Sequence, residues 1–294
     1  MRMNSRNKSV ENYLPEVSKV WVRKKFDHEG DFEATLALLR DFKPDRLFQG
    51  KKKILINPNW VHNEHYRSGN TTSTETLAAI VEYLIDQCEI DPKNLMVGDG
   101  GFGNIDPTID TVGAIKLEKK YGVNVLNLDE GPYITKRIPD PLSLKKCKIN
   151  HVFEECDSII SVPSLKTHIW AVTTLSMKNL MGFLSRKSIM HSSIHQKIAD
   201  LTSLFRHKMT FSLIDGYIGS DMSETGGNPV KMDVALVSED PVALDTIGSW
   251  IIGYDKKDCQ YLRYGQQKQL GWCDRTKINV LGDSPKKVAK KFKR

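Results

Sequence analysis

Short apolar runs alternate with longer amphipathic stretches along most of the chain. Several of the apolar runs end in turn-forming residues, which is typical of buried strands. These runs are residues 54–59, 95–97, 123–126, 158–163, 211–214, 234–237 and 278–281. Apolar residues at helical spacing predict helices between them. The predicted helices are residues 72–88, 107–121, 171–184, 193–206, 241–252 and 257–269.

This alternation predicts an α/β fold with a mainly parallel sheet and helices on both faces, in Rossmann-like layers, as one body or two intimate lobes. We expect residues 131–150 to form an extended excursion, with a hairpin as one possibility. The predicted α/β domain is residues 54–284. Residues 1–53 form an N-terminal extension, in which residues 17–25 are a strand or short helix, and residues 285–294 form a basic tail.

The net charge of +7 is concentrated at the two ends of the chain. Residues 54–284 contain 24 basic and 28 acidic residues, whereas residues 285–294 contain six basic residues and no acidic one. A broad nucleic-acid face needs a basic stripe on the fold itself, so nucleic acid is not the expected partner. Binding of nucleic acid through the basic tail alone stays open as a third hypothesis.

The five cysteines are widely spaced, and none of them forms a C-x-x-C pair. This pattern favours reduced thiols and a cytoplasmic location, and it supplies no iron–sulfur cluster. No apolar run approaches the roughly 18–20 residues that a membrane span needs. The first 30 residues also lack the apolar segment of a secretory signal.

Polar and glycine residues follow the first two predicted strands. Asn57 and Asn59 end the first strand, where their amides could orient an anionic group. The segment Gly98 to Gly103 matches G-x-G-x-x-G, but it follows the second strand of the run and not the first, so a dinucleotide is not expected. We predict instead that backbone N–H groups at Gly100 and Gly101 bind an anion.

The segment after the strand at 158–163 is the richest in reactive side chains. Lys166 and His168 follow that strand, and Lys178 and Asn179 come shortly afterwards. Lysine and asparagine suit an anionic substrate, and lysine or histidine can move a proton. Two histidines four residues apart form a further candidate metal pair. They are His191 and His195.

Acidic residues follow the later strands. Asp215 ends the strand at 211–214, and Asp240 follows the strand at 234–237. Asp245 lies in the second turn of the next predicted helix. Carboxylates at neighbouring strand ends can hold a hard cation, so a divalent metal is a possible cofactor. The alternative for Asp240 is a helix cap before Pro241.

Taken together, these segments resemble the domain of unknown function 362 family. The most specific are Lys166-Thr167-His168 and Lys178-Asn179-Leu180. The matching segments are residues 56–59, 98–100, 162–168, 175–182, 198–201, 214–216 and 238–245. The resemblance implies an intracellular prokaryotic protein, and many members carry a ferredoxin-like iron–sulfur segment that this chain lacks. It implies no particular reaction.

The leading hypothesis is an enzyme, an oxidoreductase or an isomerase, that acts on a small anionic metabolite. Lys166, His168 and Asp215 are the predicted catalytic residues. Asn57, Asn59, Lys178 and Asn179 would bind substrate. The iron–sulfur segments of similar proteins favour redox chemistry slightly. The alternative is a non-catalytic accessory protein that binds a cofactor or metal for a redox partner.

Overall fold

A ten-stranded sheet runs through the part of the chain that the computed structural model describes, residues 13–102 and 105–294. The strands are β1 (Ser18–Lys24), β2 (Ile54–Pro58), β3 (Leu95–Asp99), β4 (Asn124–Asn127), β5 (Tyr133–Arg137), β6 (Lys146–Asn150), β7 (Ser158–Val162), β8 (Ser164–His168), β9 (Val172–Thr174), β10 (Met209–Asp221), β11 (Asn228–Ser238) and β12 (Ile278–Gly282). Strands β5 and β6 form a separate antiparallel hairpin, as one of the sequence interpretations predicted.

Helices connect most of these strands. They are α1 (Asp31–Phe42), α2 (Thr74–Asp86), α3 (Asp106–Val112), α4 (Ile115–Tyr121), α5 (Val152–Glu155), α6 (Ser176–Asn179), α7 (Ile194–Phe205), α8 (Pro241–Ile251), α9 (Gln260–Gln267) and α10 (Pro285–Val288). Asp240 caps α8, because its Oδ1 accepts hydrogen bonds from the N–H groups of Val242 and Ala243.

The strand order is β12-β1-β11-β10-β7-β2-β3-β4, and β8 and β9 branch from β10. Within this sheet β11 and β9 are antiparallel to their neighbours, and the remaining pairs are parallel. The chain passes from β2 outward to β3 and β4, and later returns to the other side of β2 with β7. The loops that follow β2 and β7 therefore diverge, which in parallel sheets opens a crevice at the carboxyl ends of the strands.

The central strands are apolar on both faces because helices cover both. Ile54 and Ile56 of β2 pack in one cluster with residues of α1, α2 and α3. Leu55, between them, packs in the opposite cluster with residues of α5, α7 and α9. A mostly parallel sheet with helices on both faces confirms the predicted fold class.

The predicted helix at 171–184 is wrong. Strand β9 and the short helix α6 occupy that segment, and a 3-10 turn follows over Leu180–Phe183. Thr173 and Thr174 of β9 are β-branched and favour extended backbone, whereas Val172, the first residue of the strand, has φ +73°. The segment Ser164–His168, which the sequence analysis treated as a polar stretch after a strand, is strand β8 and pairs with β9.

The predicted helix at 107–121 is two helices. Gly113, at φ +76°, ends α3 and separates it from α4. Gly103 and residues 1–12 lie outside the described residues.

Both ends of the described chain contact the sheet or its helices. Strand β1 lies between β11 and β12, so part of the predicted N-terminal extension belongs to the main sheet. In the basic tail, Phe292 is buried in the cluster that α8 forms with β1 and β11.

Candidate functional site

A cavity of about 260 Å³ lies at the carboxyl ends of β2 and β3, where the loops after β2 and β7 diverge. Its walls combine charged, amide and aromatic side chains from six separate parts of the chain. The lining residues are Asn59, Val61, Asp99, Gly100, Gly101, Phe102, Lys166, His168, Trp170, Thr174, Lys178, Asn179, Met181, Gly182, Lys187, His191, Ile194 and Glu224. Most of the residues predicted to bind substrate therefore face one space.

Three asparagines form a buried amide network beneath this cavity. The Nδ2 group of Asn179 donates to the carbonyl oxygen of Asn57 at 2.9 Å, and Asn59 Nδ2 donates to Asn179 Oδ1 at 2.9 Å. Asn59 and Asn179 line the cavity, whereas Asn57 does not. Asn57 instead donates to the carbonyl oxygen of Gly98 at 3.0 Å. The network fixes the end of β2 against α6, so these amides position the walls of the cavity.

Lys166 is fully buried, and backbone carbonyls hold its amine. Its Nζ donates to the carbonyl oxygen of Asn70 at 2.7 Å and to that of Glu224 at 3.2 Å. Burial, followed by the charge of Lys178, lowers the pKa of Lys166 to about 7. None of the carboxylates in residues 13–102 and 105–294 lies at hydrogen-bond distance from this Nζ, so protonated Lys166 keeps a positive potential available for an anion.

Lys178 approaches the same cavity from α6. It is 9 % exposed, and no hydrogen-bond or ion-pair partner for its Nζ is found among the described residues. Burial lowers the pKa of Lys178 to about 8. The hydroxyl of Thr174, another lining group, is also buried without a partner in residues 13–102 and 105–294. Unpaired buried polar atoms are rare, and this hydroxyl borders an empty space that a ligand can fill.

His168 faces the cavity with one ring nitrogen only. Its Nδ1 accepts hydrogen bonds from the N–H groups of Trp170 at 3.0 Å and Ala171 at 3.1 Å. We therefore infer that Nε2 carries the proton. Burial, followed by the charges of Lys178 and Lys166, holds the pKa of His168 well below its ordinary value. His168 is thus a neutral hydrogen-bond donor, which suits binding of an anion better than general base catalysis.

Asp99, at the end of β3, is a lining residue that the sequence analysis missed as a candidate. It is 1 % exposed; its Oδ2 accepts from the N–H of Trp60 at 2.8 Å, and its Oδ1 accepts from Asn57 Nδ2 at 3.2 Å. Burial raises its pKa to about 6. The sequence signal was present, since Asp99 stands between two glycines at a strand end. The prediction for this segment concerned only the backbone N–H groups of its glycines.

Glu224 also lines the cavity, and it comes from the turn between β10 and β11. Its Oε2 accepts from the N–H of Ile169 at 3.3 Å, and its Oε1 lies 3.6 Å from His168 Nε2. The same turn is fastened by Glu64, whose Oε1 accepts from the N–H of Gly226 at 3.2 Å. Nothing in the sequence placed Glu224 beside His168.

The predicted glycines and His191 lie at the edge of the cavity. Gly100 and Gly101 line it, and the N–H of Gly101 donates to Asp129 Oδ2 at 2.8 Å. This N–H is therefore occupied by a protein carboxylate. The ring of His191 contacts that of Trp170 at a tilt of 56°, with 4.5 Å between ring centroids, and Trp170 is 51 % exposed.

The acidic residues proposed as metal ligands do not meet. Asp215 accepts from the N–H of Ser73 at 2.8 Å, and Asp245 accepts from the N–H of Ser176 at 2.9 Å. Asp240 caps α8, as described above. Asp215 therefore lies away from the cavity in which it was predicted to be catalytic, and it stabilises the start of α2.

The two histidines predicted to bind a metal, His191 and His195, also do not face the same space. His195 does not line the cavity, and its Nδ1 accepts from the N–H of Tyr261 at 3.3 Å. Among the described residues, no group of three or more His, Cys, Asp or Glu side chains is arranged to hold a metal ion. The described side chains thus offer no preformed cage for the divalent metal that the sequence suggested.

The fold and the cavity define an α/β protein with a polar, lysine-containing cleft at a switch point of its sheet. The profile of the family described as "Domain of unknown function (DUF362)" matches residues 54–250. The chain therefore belongs to the domain of unknown function 362 family, which confirms the resemblance seen in its motifs.

Two individual proteins are similar to the chain. A thylakoid-associated protein from Synechocystis sp. is 22 % identical over 213 residues, which cover 69 % of this chain and 64 % of that protein. The lactate racemase apoprotein from Thermoanaerobacterium thermosaccharolyticum has a similar structure, with a TM-score of 0.52 and 14 % identity. That similarity covers 82 % of this chain and 58 % of the racemase chain, and it shows a shared fold. The chain thus spans less than two thirds of the length of either protein.

No helix in residues 13–102 and 105–294 is both long enough and apolar enough to cross a bilayer.

Proposed function

We propose that the cavity is the active site of an enzyme that binds a small carboxylate and transfers a proton to or from one of its carbon atoms. One observation carries this proposal: two buried lysines, a neutral histidine donor and a buried carboxylic acid face one cavity of about 260 Å³. Ligand pockets usually measure roughly 300–1,000 Å³, so this cavity suits a small metabolite.

The carboxylate would bind through the two lysines and His168. Lys166 is held by two backbone carbonyls, and His168 presents its Nε2–H. In a buried site such groups attract an anion more strongly than they would in water. The structural neighbour is named a lactate racemase, and lactate is a small carboxylate, which supports this substrate class.

Asp99 would move the proton. Its pKa of about 6 lies close to the pH at which an enzyme of this kind works, so the carboxyl can both take up and release a proton. Asn57 and the N–H of Trp60 hold the carboxyl in place. Three side chains that face the cavity have pKa values near neutrality, about 6 for Asp99, about 7 for Lys166 and about 8 for Lys178. We therefore favour isomerisation, whereas the family resemblance favoured redox chemistry slightly.

The test is proton exchange with solvent. The protein is incubated in D₂O with pyruvate, lactate, malonate and oxaloacetate, and deuterium uptake at carbon is followed by NMR while binding is measured by calorimetry. We expect at least one acid to bind and exchange, and Asp99→Asn to slow exchange roughly 100-fold or more while binding persists. Asp274→Asn, at the cap of a short 3-10 turn and not in the cavity wall, is the matched control.

Two results would count against this proposal. If none of these acids binds, the cavity is not a carboxylate site. If an acid binds but no exchange above the uncatalysed rate is seen, the catalytic part is wrong and an accessory protein that binds a small anion is the better description.

A further inference from the structure

The amine of Lys178 is the most unusual group in the cavity. It is nine-tenths buried and borders the cavity, yet it has no hydrogen-bond or ion-pair partner among the described residues. The other lysines of the cavity are occupied. Lys166 donates to two carbonyl oxygens, and Lys187 forms an ion pair with Asp129 at 2.7 Å.

We infer that Lys178 forms a Schiff base with the carbonyl group of a small 2-oxo acid bound in this cavity. The inference rests on the proposed function and narrows its substrate class from small carboxylates to those with a neighbouring carbonyl. A nucleophilic amine needs a free lone pair and room for the incoming carbon atom, and of the three lysines in the cavity walls Lys178 alone offers both in the described structure.

Electrostatics supplies the neutral amine that the reaction requires. An ordinary lysine has a pKa of 10.5, whereas burial lowers the pKa of Lys178 to about 8. At neutral pH this change raises the neutral fraction of the amine by roughly two orders of magnitude. A lysine desolvated by its surroundings is a recognised arrangement for an amine nucleophile, and burial is the cause of the lowered pKa of Lys178.

The remaining groups of the cavity match the other parts of a 2-oxo acid. Its carboxylate would bind near Lys166 and the Nε2–H of His168. The unpartnered hydroxyl of Thr174 lies in the wall of the same cavity and can donate to the carbonyl oxygen. An activated carbonyl carbon would then face the free amine.

The step balances without a further reactant. The lone pair of the neutral amine forms a bond to the carbonyl carbon, both amine hydrogens leave with the carbonyl oxygen as water, and a C=N bond replaces the C=O bond. Once protonated on nitrogen, the imine withdraws electrons from the adjacent C–H group. Asp99 would take up that proton and return it, which is the transfer proposed above.

Reductive trapping tests this inference directly. The intact chain is incubated with pyruvate and sodium cyanoborohydride at about pH 8, and tryptic peptides are analysed by mass spectrometry. We expect the peptide with Lys178 to gain the mass of pyruvic acid less one oxygen atom. Lys178→Arg should abolish this product, and Lys119→Arg, a substitution on the exposed side of α4, should leave it unchanged.

Wild-type peptide mapping needs no variant, so a variant that fails to fold does not weaken the test. Modification confined to exposed lysines, or equal in wild type and Lys178→Arg, would overturn the inference. So would the absence of trapping when calorimetry shows that pyruvate binds. In that last case the proposed function survives, because it requires carboxylate binding and proton exchange but no imine.

Discussion

At the scale of single residues, the site is built from polar side chains that the fold removes from water. Lys166 is fully buried and Lys178 and Asp99 nearly so, and burial moves all three pKa values toward neutrality. The sequence identified the two lysines because both follow a buried strand within a short segment. It could not identify their burial, because burial depends on segments distant in the sequence, such as the β10–β11 turn whose Glu224 carbonyl accepts from Lys166.

The lowered pKa of Lys166 predicts a specific pH dependence of stability. The folded chain releases the proton of Lys166 near pH 7, whereas the unfolded chain keeps it up to about pH 10.5. Between these values the unfolded state binds more protons, so this lysine adds stability as pH rises and loses it as pH falls toward 7. The free energy of unfolding of wild type, relative to Lys166→Met, should rise by about 2–3 kcal/mol from about pH 7 to about pH 9.5.

Urea unfolding of both proteins at the two pH values measures this difference. Lys119→Met, which alters an exposed lysine, is the control for effects of lysine removal in general. A difference between wild type and Lys166→Met that stays constant across this range would show that Lys166 remains charged in the folded state.

At the scale of secondary-structure elements, the regular alternation was predictable and the irregular part was not. Strands β2, β3 and β7 are short apolar runs covered on both faces, so their pattern is unambiguous. Strands β8 and β9 border the cavity and contain lysine, histidine and threonine. Such polar strands lack the apolar pattern by which a buried strand is recognised in a sequence. The prediction of secondary structure was therefore wrong in the segment that contributes β8 and β9 to the candidate site.

The hairpin between β10 and β11 controls the charge of the cavity through Glu224. Its carboxylate raises the pKa values of both Lys166 and Lys178, and it occupies the N–H of Ile169 beside His168. A bound carboxylate competes with Glu224 for the same donors. Glu224→Gln should therefore bind oxalate roughly threefold to tenfold more tightly than wild type at about pH 7.

Isothermal titration calorimetry at two salt concentrations measures this change. Glu118→Gln, an exposed residue of α4, should bind oxalate as wild type does. Weaker binding by Glu224→Gln would mean that Glu224 organises the donors for the ligand instead of competing with it.

At the scale of the whole molecule, the main sheet includes strands that lie outside the residues matching the family, 54–250. Strand β1 comes from residues that precede the matching region, and it pairs with β11 on one side and with β12 on the other. The sequence left residues 17–25 as strand or helix because their apolar pattern is short. Only pairing with strands more than 200 residues away decides between the two.

The position of β1 predicts that it contributes to global stability. Val20 is fully buried in β1, whereas Val17, just before the strand, is 45 % exposed. Val20→Ala should lower the free energy of unfolding by about 2 kcal/mol, because it leaves a cavity against α8. Val17→Ala should change it by less than about 0.5 kcal/mol. Equal effects in urea unfolding would show that β1 is not part of the cooperative unit.

The place of β1 in the sheet also has a consequence for the order of folding during synthesis. The ribosome makes β1 among the first strands, but its partners in the sheet, β11 and β12, are among the last to emerge. Both edges of β1 therefore stay unpaired while most of the chain is translated. Pairing over such long sequence separations is slow. A nascent chain arrested before β11 emerges would expose the edges of β1 to chaperones or to other chains. Both edges of β1 would be paired only after β11 and β12 have been synthesised.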